Sequence, residues 1–412
     1  GVQTCALPIS VCANRGRTVS LCRLISFFFC AIWLRMAFWR GKKVFVTGHT
    51  GFKGSWITKL LLSRGAQVYG YSLLPPSDPS IYNLSNVLRE LPQTIGDIRS
   101  GAELNSKMQQ FQPEIVLHLA AQALVRESYK DPVTTFDTNV MGTVQVFEAV
   151  RQCPNVKVLI NVTSDKCYDN REWAWGYREN EPMGGKDPYS ASKGCAELVT
   201  ASYRHSFFKT SQTRLASARA GNVFGGGDWA KDRLIPDLIS SFARGETAVI
   251  RSPQAVRPWQ HVLEPVSGYL HLAEKVYHEA DLDDGWNFGP QDSDMLSVEH
   301  IAQRLVQLWG QGARVDVVPA KDGMKEAHLL KLDCSKARSL LGWKPRLNLE
   351  TSLEWTVDWY KGFYQQKSRV GGPVNEKMVN EKLVDVLMDQ QIADFELRAS
   401  TRKDRDESMS VL

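Results

Sequence analysis

Strand-like and helix-like segments alternate along most of this chain, and that alternation constrains its fold more than any other feature. "KKVFVTG" is a β-branched and aromatic run ending in glycine, and "SWITKLLLSRG" has helical spacing with Gly65 as a stop signal. "TTFDTNVMGTVQVFEAVRQC" reads as one long helix. The other strand-like runs include "AQVYGYS", "EIVLHLAA", "VKVLINVTS" and "TRLASARAGNVFG". This spacing predicts an α/β protein whose parallel sheet is covered by helices on both faces.

A glycine-rich turn joins the first predicted strand to the first predicted helix. In "VFVTGHTGFKGSW", Gly48, Gly51 and Gly54 are spaced as G-x-x-G-x-x-G. Glycines at such a junction allow a tight turn and a close approach of a pyrophosphate, and the helix N-terminus supplies N–H donors and a favourable dipole. The pattern, in this context, predicts a dinucleotide site in a Rossmann-type, doubly wound domain.

The end of the second predicted strand, "VYGYSLLPP", bears on the choice of dinucleotide. It offers Ser72 where a carboxylate commonly binds the adenosine ribose, and no Arg or Lys lies between Ala66 and Leu88 to pair with a 2′-phosphate. These features favour NAD over NADP without deciding between them. Asp97, in "GDIR", either faces the adenine or is a simple turn carboxylate.

The first 35 residues differ from the rest of the chain. They hold four of the eight cysteines and carry four arginines with no acidic residue, which leaves 46 basic and 45 acidic residues for the remainder. The apolar run in "RLISFFFCAIWLR" is too short to span a bilayer and resembles a signal-peptide core. We favour another interpretation: "GVQTCALPI" back-translates to a common sequencing adapter, and the natural start lies near Met36.

The remaining composition excludes several classes of function. A nearly balanced charge gives no indication of nucleic-acid binding through a basic field. The later cysteines form neither a C-x-x-C pair nor a Cys/His cluster, so we predict no metal site, and a reducing compartment fits best.

The alternation loosens after Gly225, where a glycine-rich stretch opens a mixture of loops, short strands and helices. We therefore predict a non-native segment over 1–35, a Rossmann-type dinucleotide-binding domain over 36–220, a smaller α/β substrate-binding domain, interleaved with the first, mainly over 221–365, and a tail over 366–412 with one amphipathic helix.

Tyr189 and Lys193 lie one helical turn apart in "DPYSASKGCAE". A tyrosine with its ordinary pKa of about 10 is a poor base at neutral pH. A lysine ammonium one turn away, together with a cationic nicotinamide, would favour the phenolate and make it usable as a base. The alternative is an exposed pair on a helix surface, and the upstream glycine loop favours the catalytic interpretation.

The stretch "VTSDKCY" places Ser164, Asp165 and Lys166 in succession at the end of a predicted strand. Taken alone, such a triplet is most often a solvated turn. Consecutive strand residues face opposite ways, so Asp165 and Lys166 can reach one ligand only if the strand has ended by Asp165.

The motifs "VTGHTGFKGSW", "LHLAAQ", "TNVMGT", "TSDKCY" and "DPYSASK" together resemble the extended short-chain dehydrogenase/reductase superfamily of nucleotide-sugar enzymes, and the resemblance covers about residues 36–398. It implies NAD as cofactor. The cofactor-binding residues that it implies are Gly48, Thr50, Gly51, Phe52, Gly54, Asp97, Ile98, Leu119, Ala120, Ala121, Thr163, Tyr189 and Lys193. The substrate-binding residues that it implies are Asn139, Asn222, Arg233 and Arg257.

The same resemblance implies roles for the triplet. Ser164 binds the sugar O4 beside Tyr189, and in 4,6-dehydratases an acid and a second ionisable group follow, because these enzymes eliminate water after oxidising C4. The resemblance implies that Asp165 is the acid for the 6-hydroxyl and that Lys166 stands where a glutamate usually acts on C5. The opposite assignment of the two stays open. The expected substrate is CDP-glucose, a choice that rests on the resemblance alone.

Three other functions stay open from the residues. A nucleotide-sugar 4-epimerase shares the loop, Tyr189 and Lys193 but does not need Asp165 and Lys166, and a 4,6-dehydratase for another nucleotide sugar differs only in its base pocket. Retention of Ser164 with Tyr189 and Lys193 argues against a non-catalytic dinucleotide sensor. The resemblance further implies a cytoplasmic homodimer or homotetramer in bacterial deoxysugar synthesis for lipopolysaccharide O-antigen, without a membrane or nucleic-acid partner.

Overall fold

The computed structural model of this chain describes residues 37–310, 312–318, 329–369 and 381–409. The predicted non-native segment over 1–35 and the predicted start at Met36 lie outside the described residues. Part of the predicted tail is described, and it forms a helix over Glu381–Met409.

The centre of the structure is a seven-stranded parallel sheet. Its strands are β1 (Lys43–Thr47), β2 (Gln67–Ser72), β3 (Gln93–Ile95), β4 (Ile115–His118), β5 (Val158–Val162), β6 (Arg214–Ala220) and β11 (Gly285–Phe288). The short strands outside it are β7 (Val223–Phe224), β8 (Thr247–Ile250), β9 (Val256–Pro258), β10 (Gln260–His261), β12 (Met295–Ser297) and β13 (Arg314–Val317).

Helices connect these strands. The α-helices are α1 (Phe52–Ser63), α2 (Ile81–Leu84), α3 (Asn86–Glu90), α4 (Gly101–Phe111), α5 (Val125–Lys130), α6 (Pro132–Phe136), α7 (Gly142–Arg151), α8 (Pro188–Tyr203), α9 (Leu234–Ala243), α10 (Leu263–His278), α11 (Val298–Trp309), α12 (Leu349–Arg369) and α13 (Glu381–Met409). Short 3₁₀ and π turns lie at Asp137–Met141, Asp165–Cys167, Arg204–Phe208, Ala280–Leu282, Asp292–Asp294 and Ala337–Leu341. Within the described part of the chain, none of the helices combines the length and apolarity needed to cross a membrane.

The strand order β11-β6-β5-β4-β1-β2-β3 fixes where a ligand can bind. Strands β4 and β5 are buried at every residue, as expected for inner strands of a parallel sheet covered on both faces. The order reverses between β1 and β4, and open α/β sheets bind ligands outside the carboxyl ends of the strands at such a point. The predicted Rossmann-type, doubly wound fold is therefore confirmed.

Two local features differ from the sequence-based expectation. The segment predicted as one long helix is divided into α6, a π turn over Asp137–Met141, and α7. Asn139 lies in this wider π turn, and its side-chain amide donates hydrogen bonds to the Gln122 carbonyl and the Ser192 hydroxyl. The "WNF" segment of β11 returns to the central sheet beside β6 instead of remaining outside it. The predicted domain boundary near residue 221 stays a prediction.

The C-terminal helix α13 packs onto the dinucleotide-binding half of the molecule. Met388 and Phe395 are fully buried, and Lys59 of α1 forms a buried ion pair with Asp385 at 3.1 Å. The Arg346 guanidinium lies 4.4 Å from the centre of the Phe395 ring, a cation–π contact with the middle of the helix. The helix is therefore part of the core and not an appendage.

We predict that Phe395→Ala lowers the free energy of unfolding by about 3–5 kcal/mol, because it removes a fully buried ring and leaves a cavity. Val386→Ala, on the same helix but 56% exposed, is the matched control and should change stability by less than about 0.5 kcal/mol. Urea denaturation measures both. Equal effects of the two substitutions would contradict the packing described for α13.

Candidate active site

The glycine turn after β1 is packed backbone against backbone. Gly48 has φ +78°, and a Cβ added there would lie 2.6 Å from the amide nitrogen of Ala120 in the loop after β4. A Cβ on Gly54 would lie 1.9 Å from the Gly48 carbonyl oxygen. Both contacts are shorter than a real Cβ tolerates, so these two positions require glycine for the fold of the turn itself.

The N-terminus of α1 is open. Gly51 occupies its N-cap with extended backbone, and no side chain caps the helix, so its first-turn N–H groups are available to a ligand. A Cβ on Gly51 would meet nothing closer than 3.4 Å, and the missing side chain therefore leaves space on the outer face of the turn. An uncapped helix end behind a glycine turn fits a pyrophosphate, and the residues present fit a dinucleotide.

The other predicted cofactor residues lie around the same turn. The Thr50 hydroxyl bonds the Ser72 hydroxyl at 2.9 Å and donates to the Leu73 carbonyl at 2.8 Å, which ties the turn to the end of β2. The backbone N–H groups of Leu119 and Ala120 each donate to the Thr47 hydroxyl at 3.2 Å. Ala121 follows in the same loop. The carboxyl ends of β1, β2 and β4 are thus linked into one surface.

Asp97 and Ile98 lie after β3, at one side of this surface. The Arg99 side chain bonds the Asp97 carboxylate at 2.6 Å and lowers the pKa of that carboxyl group. Ile98 is buried against α7. The Asp97 carboxylate therefore has a protein partner, and its predicted contact with adenine stays a prediction.

Strand β5 ends at Val162, before the predicted catalytic triplet. Ser164 then caps a 3₁₀ turn over Asp165–Cys167: its hydroxyl oxygen accepts the Lys166 N–H at 3.2 Å, and the hydroxyl donates to the Asp165 carboxylate at 3.0 Å. Because the chain is in a turn from Asp165 onward, the alternation of strand side chains no longer separates Asp165 from Lys166. The strand has therefore ended before Asp165, as is required for Asp165 and Lys166 to reach one ligand.

Asp165 is buried with one carboxylate oxygen, Oδ2, unpaired among the described residues. A Cβ on Gly221 would lie 2.9 Å from that oxygen, so the carboxylate occupies space that only glycine leaves. Burial raises the pKa of Asp165, opposed by the charge of Lys166 and the hydrogen bond from Ser164. A raised pKa favours the protonated form of the carboxyl group and suits a general acid.

Tyr189 and Lys193 are both buried in the first half of α8. The helix begins at Pro188, with the Asp187 side chain accepting the Ser190 N–H as its cap. Burial raises the pKa of Tyr189 to about 12, opposed by a hydrogen bond with Ser164, and it lowers the pKa of Lys193 to about 8. We expected Lys193 to favour the phenolate form of Tyr189. In the protein without cofactor, burial has the larger effect and favours the neutral phenol, and the positive charge that lowers the pKa of Tyr189 is that of Arg233.

A buried ion pair joins α8 to strand β6 of the central sheet. The Arg219 guanidinium bonds the Glu197 carboxylate at 2.7 Å, and the hydroxyl groups of Thr163 and Ser217 donate to the same carboxylate. The Glu197 charge also acts on the Lys193 ammonium, one turn earlier on the helix. Sequence reasoning missed Glu197 and Arg219, and the four-residue spacing from Lys193 was the available signal for the glutamate.

Two of the predicted substrate residues face the catalytic groups. Arg233 forms an ion pair with Asp228 at 2.9 Å and acts electrostatically on Tyr189. The charge of Arg257 on β9 reaches Asp165, although its guanidinium also donates to the Val256 carbonyl at 3.0 Å. Both arginines therefore lie at the site.

The two predicted asparagines are placed differently. Asn222 follows β6, and its backbone carbonyl accepts the Gln260 N–H at 3.3 Å. Asn139 is buried, and its side-chain amide bonds the loop residue Gln122 in both directions, at 2.8 and 3.0 Å, as well as Ser192 of α8. Asn139 thus bridges the loop after β4 and α8, and its contact with substrate stays a prediction.

Lys53 and Tyr269 reach the site without having been predicted. The Lys53 amine lies 5.9 Å from the centre of the Tyr269 ring and interacts electrostatically with Asp165. The signal for Lys53 was its position as the one Lys, Arg, Asp or Glu between Val44 and Thr58. No sequence signal marked Tyr269. Among the residues described, no cluster of His, Cys, Asp or Glu has a geometry suited to a metal ion.

A parallel Rossmann-type sheet with this glycine turn and a buried Tyr-x-x-x-Lys pair defines the extended short-chain dehydrogenase/reductase class. The chain belongs to the GDP-mannose 4,6 dehydratase family, whose sequence model matches residues 45–356.

Individual relatives agree with this assignment. A CDP-glucose 4,6-dehydratase from Salmonella typhimurium is 54% identical over 332 residues, which are 79% of this chain and 92% of that protein. A UDP-glucose 4-epimerase from Thermus thermophilus, solved with NAD, is 25% identical with a TM-score of 0.67 and covers 78% of this chain and 99% of its own. A dTDP-glucose 4,6-dehydratase from Streptomyces venezuelae, also solved with NAD, has the same fold at 21% identity and a TM-score of 0.67, covering 77% and 97% of the two chains.

We predict different failures for two glycine variants of the turn. Gly54→Ala forces a Cβ onto the Gly48 carbonyl and should lower the free energy of unfolding by about 3 kcal/mol. Gly51→Ala should fold with a stability within about 0.5 kcal/mol of the wild type, yet bind NAD at least about tenfold more weakly, because its methyl group occupies the face left for the pyrophosphate. Thermal denaturation and calorimetric titration with NAD measure the two effects. Normal binding by Gly51→Ala would place the pyrophosphate elsewhere.

Proposed function

We propose that this protein is a CDP-glucose 4,6-dehydratase, which uses bound NAD to convert CDP-D-glucose to CDP-4-dehydro-6-deoxy-D-glucose with release of water. The observation that carries the proposal is the turn at the end of β5, where Asp165 and Lys166 follow Ser164 beside Tyr189. The 54% identity to the Salmonella typhimurium enzyme supports the choice of CDP-glucose.

The reaction begins at the sugar O4. Tyr189 removes the O4 proton, assisted by the hydrogen bond with Ser164 and by the positive charge of Arg233, because a buried phenol with a raised pKa needs a cation to become a base. Lys193 and a cationic nicotinamide would add to that positive charge during the reaction. NAD bound at this turn would supply reversible hydride transfer, from C4 to the nicotinamide and then to C6, which would leave the overall reaction redox-neutral. The open N-terminus of α1 holds the pyrophosphate.

The ketone at C4 makes the C5 proton acidic, and elimination becomes accessible. Lys166 removes the C5 proton, and Asp165 donates its proton to the departing 6-hydroxyl, which leaves as water. Two observations support this division of labour: burial raises the pKa of Asp165, and the Lys166 amine has neither a hydrogen bond nor an ion pair with the described residues. The acid Asp165 and the base Lys166 thus lie on the same turn, and both act in the same elimination step.

The substrate is held by the predicted binding residues. Arg233 and Arg257 bind the diphosphate, since a guanidinium donates two parallel hydrogen bonds to phosphate oxygens. Asn222, which follows β6, binds the sugar nucleotide, and Asn139 keeps the loop after β4 in place. The smaller second domain, mainly residues 221–365, carries these arginines.

The protein is a cytoplasmic homodimer or homotetramer that supplies deoxysugar for lipopolysaccharide O-antigen and binds neither membrane nor nucleic acid. Assembly through the helices around α7 and α8 is supported by apolar side chains on their outer faces, including Val133 (77% exposed) and Leu198 (60% exposed). A contiguous patch of such residues is typical of an interface.

Leu198→Glu should convert the oligomer to a monomer, because a carboxylate at the centre of an apolar interface loses its hydration without gaining a partner. Light scattering gives the mass in solution. Val249→Glu, at a residue 50% exposed on β8, is the control and should leave the assembly unchanged. A wild-type monomer, or equal effects of both variants, would refute this interface.

Asp165→Asn should slow the release of water by about 10²–10⁴-fold while the cofactor is still reduced, because only the elimination needs the acid. Mass spectrometry of the CDP-sugar detects the lost water, and near-ultraviolet absorbance detects reduced nicotinamide. Asp169→Asn is the control: its carboxylate pairs with Arg171 at the surface, and the variant should match the wild type.

The wild-type protein is tested in parallel on UDP-, dTDP- and GDP-sugars. Release of water from a different nucleotide sugar would keep the mechanism and change the substrate. An epimerised sugar without loss of water would identify a 4-epimerase and contradict the roles of Asp165 and Lys166.

A further inference from the structure

Gly221 is buried beside the turn that carries the proposed acid, at the point where β6 leaves the sheet. Val162 at the end of β5 pairs with Ala218 of β6, and the Thr163 N–H donates to the Ala218 carbonyl at 2.9 Å. The two chain segments therefore leave the sheet side by side, and this register brings Asp165 against Gly221.

The space beside Gly221 is filled from two sides. A Cβ added to Gly221 would lie 2.9 Å from the Asp165 Oδ2 atom and 2.7 Å from Cγ of Pro258 on β9. Both distances are shorter than a real Cβ tolerates. Pro258 is buried and its ring fixes its shape, whereas the Asp165 carboxyl group can turn about its side-chain bonds. A methyl group on residue 221 would therefore displace the carboxyl group.

The orientation of that carboxyl group decides where its proton lies. The Ser164 hydroxyl donates to Oδ1 of Asp165 at 3.0 Å, and Oδ2 has no hydrogen-bond partner among the described residues. Because a protonated carboxyl group donates through one oxygen and accepts through the other, Oδ2 is the oxygen that carries the proton. Displacement of Oδ2 would break the Ser164 hydrogen bond and redirect the proton.

We propose that Gly221 is a positioning residue for the elimination, acting through Asp165. This inference rests on the proposed function. In the elimination, the C5–H bond breaks with its proton going to Lys166, and its electrons form the C5–C6 double bond. The C6–O bond breaks as the oxygen takes the Asp165 proton and leaves as water. Gly221 leaves the space in which the donating oxygen is held.

The same contact lies next to two segments proposed to bind the substrate. Gly221 precedes Asn222, and Pro258 follows Arg257. A methyl group on residue 221 could therefore act on the acid or, through the Pro258 ring, on the hold of the substrate. The tests below separate these two routes.

Gly221→Ala is tested with CDP-glucose. Release of water should slow by about 10²-fold, because a shift of about 1 Å in a catalytic group has an effect of this size. Reduced nicotinamide should still form and should accumulate, since oxidation at C4 does not need the acid, and KM should stay near the wild-type value. In the Asp165→Asn background, Gly221→Ala should cause no further loss.

Two further variants serve as controls. A Cβ on Gly225, in the same loop, would lie 2.9 Å from Cγ1 of Val262 and is not directed at the acid, so Gly225→Ala should be similarly crowded but release water at near the wild-type rate. Gly221→Ala combined with Pro258→Ala removes the ring contact and keeps the contact with Asp165, so the slow release of water should persist. Thermal denaturation shows which variants are folded, and the double variant takes over the test if Gly221→Ala alone does not fold.

The outcomes separate the two claims. Wild-type protein that releases no water from CDP-glucose contradicts the proposed function. If the wild type is active, the inference is overturned by normal water release in Gly221→Ala, by recovery of the rate on adding Pro258→Ala, or by a full additional loss in the Asp165→Asn background. Equal slowing of oxidation and water release, an equal defect in Gly225→Ala, or failure of both Gly221 variants to fold would make the role of Gly221 a purely structural one.

Discussion

The contact between the Gly54 and Gly48 backbones is the constraint on which the site depends. A Cβ at Gly54 would lie 1.9 Å from the Gly48 oxygen, and one at Gly48 would lie 2.6 Å from the Ala120 nitrogen. These contacts hold α1 against the loop after β4 at the switch point of the sheet. The open helix end and Lys53 are placed by that packing, and the chemistry of the site follows from it.

Burial then determines what each ionisable group can do. The same loss of water raises the pKa of Tyr189 to about 12, lowers that of Lys193 to about 8, and raises that of Asp165. An enclosed site therefore holds a phenol and a carboxyl group whose pKa values are raised, and a lysine whose pKa is lowered. Cations supplied by the chain and the cofactor are needed to move protons among them, which explains the concentration of Lys and Arg around one acid.

The sequence predicted the features that have short-range signals. Strand and helix alternation, the glycine turn, and the Tyr189–Lys193 spacing each follow from local physics, and the sheet confirms the fold. The π turn at Asn139 and the return of β11 to the sheet depend on tertiary contacts, and local propensity does not encode these. Lys53 was missed because its approach to Tyr269 depends on the packing of α1 against α10.

The central claim is an elimination in which the hydrogen leaving C4 returns to C6 within one site. The direct measurement uses CDP-glucose deuterated at C4, incubated with the wild-type protein and NAD in ordinary water, followed by mass spectrometry and NMR of the sugar. The account predicts a product that has lost one water and carries the deuterium at C6, with no net change in NAD. Deuterium retained at C4 in a sugar that has lost no water, or deuterium lost to solvent, would contradict it.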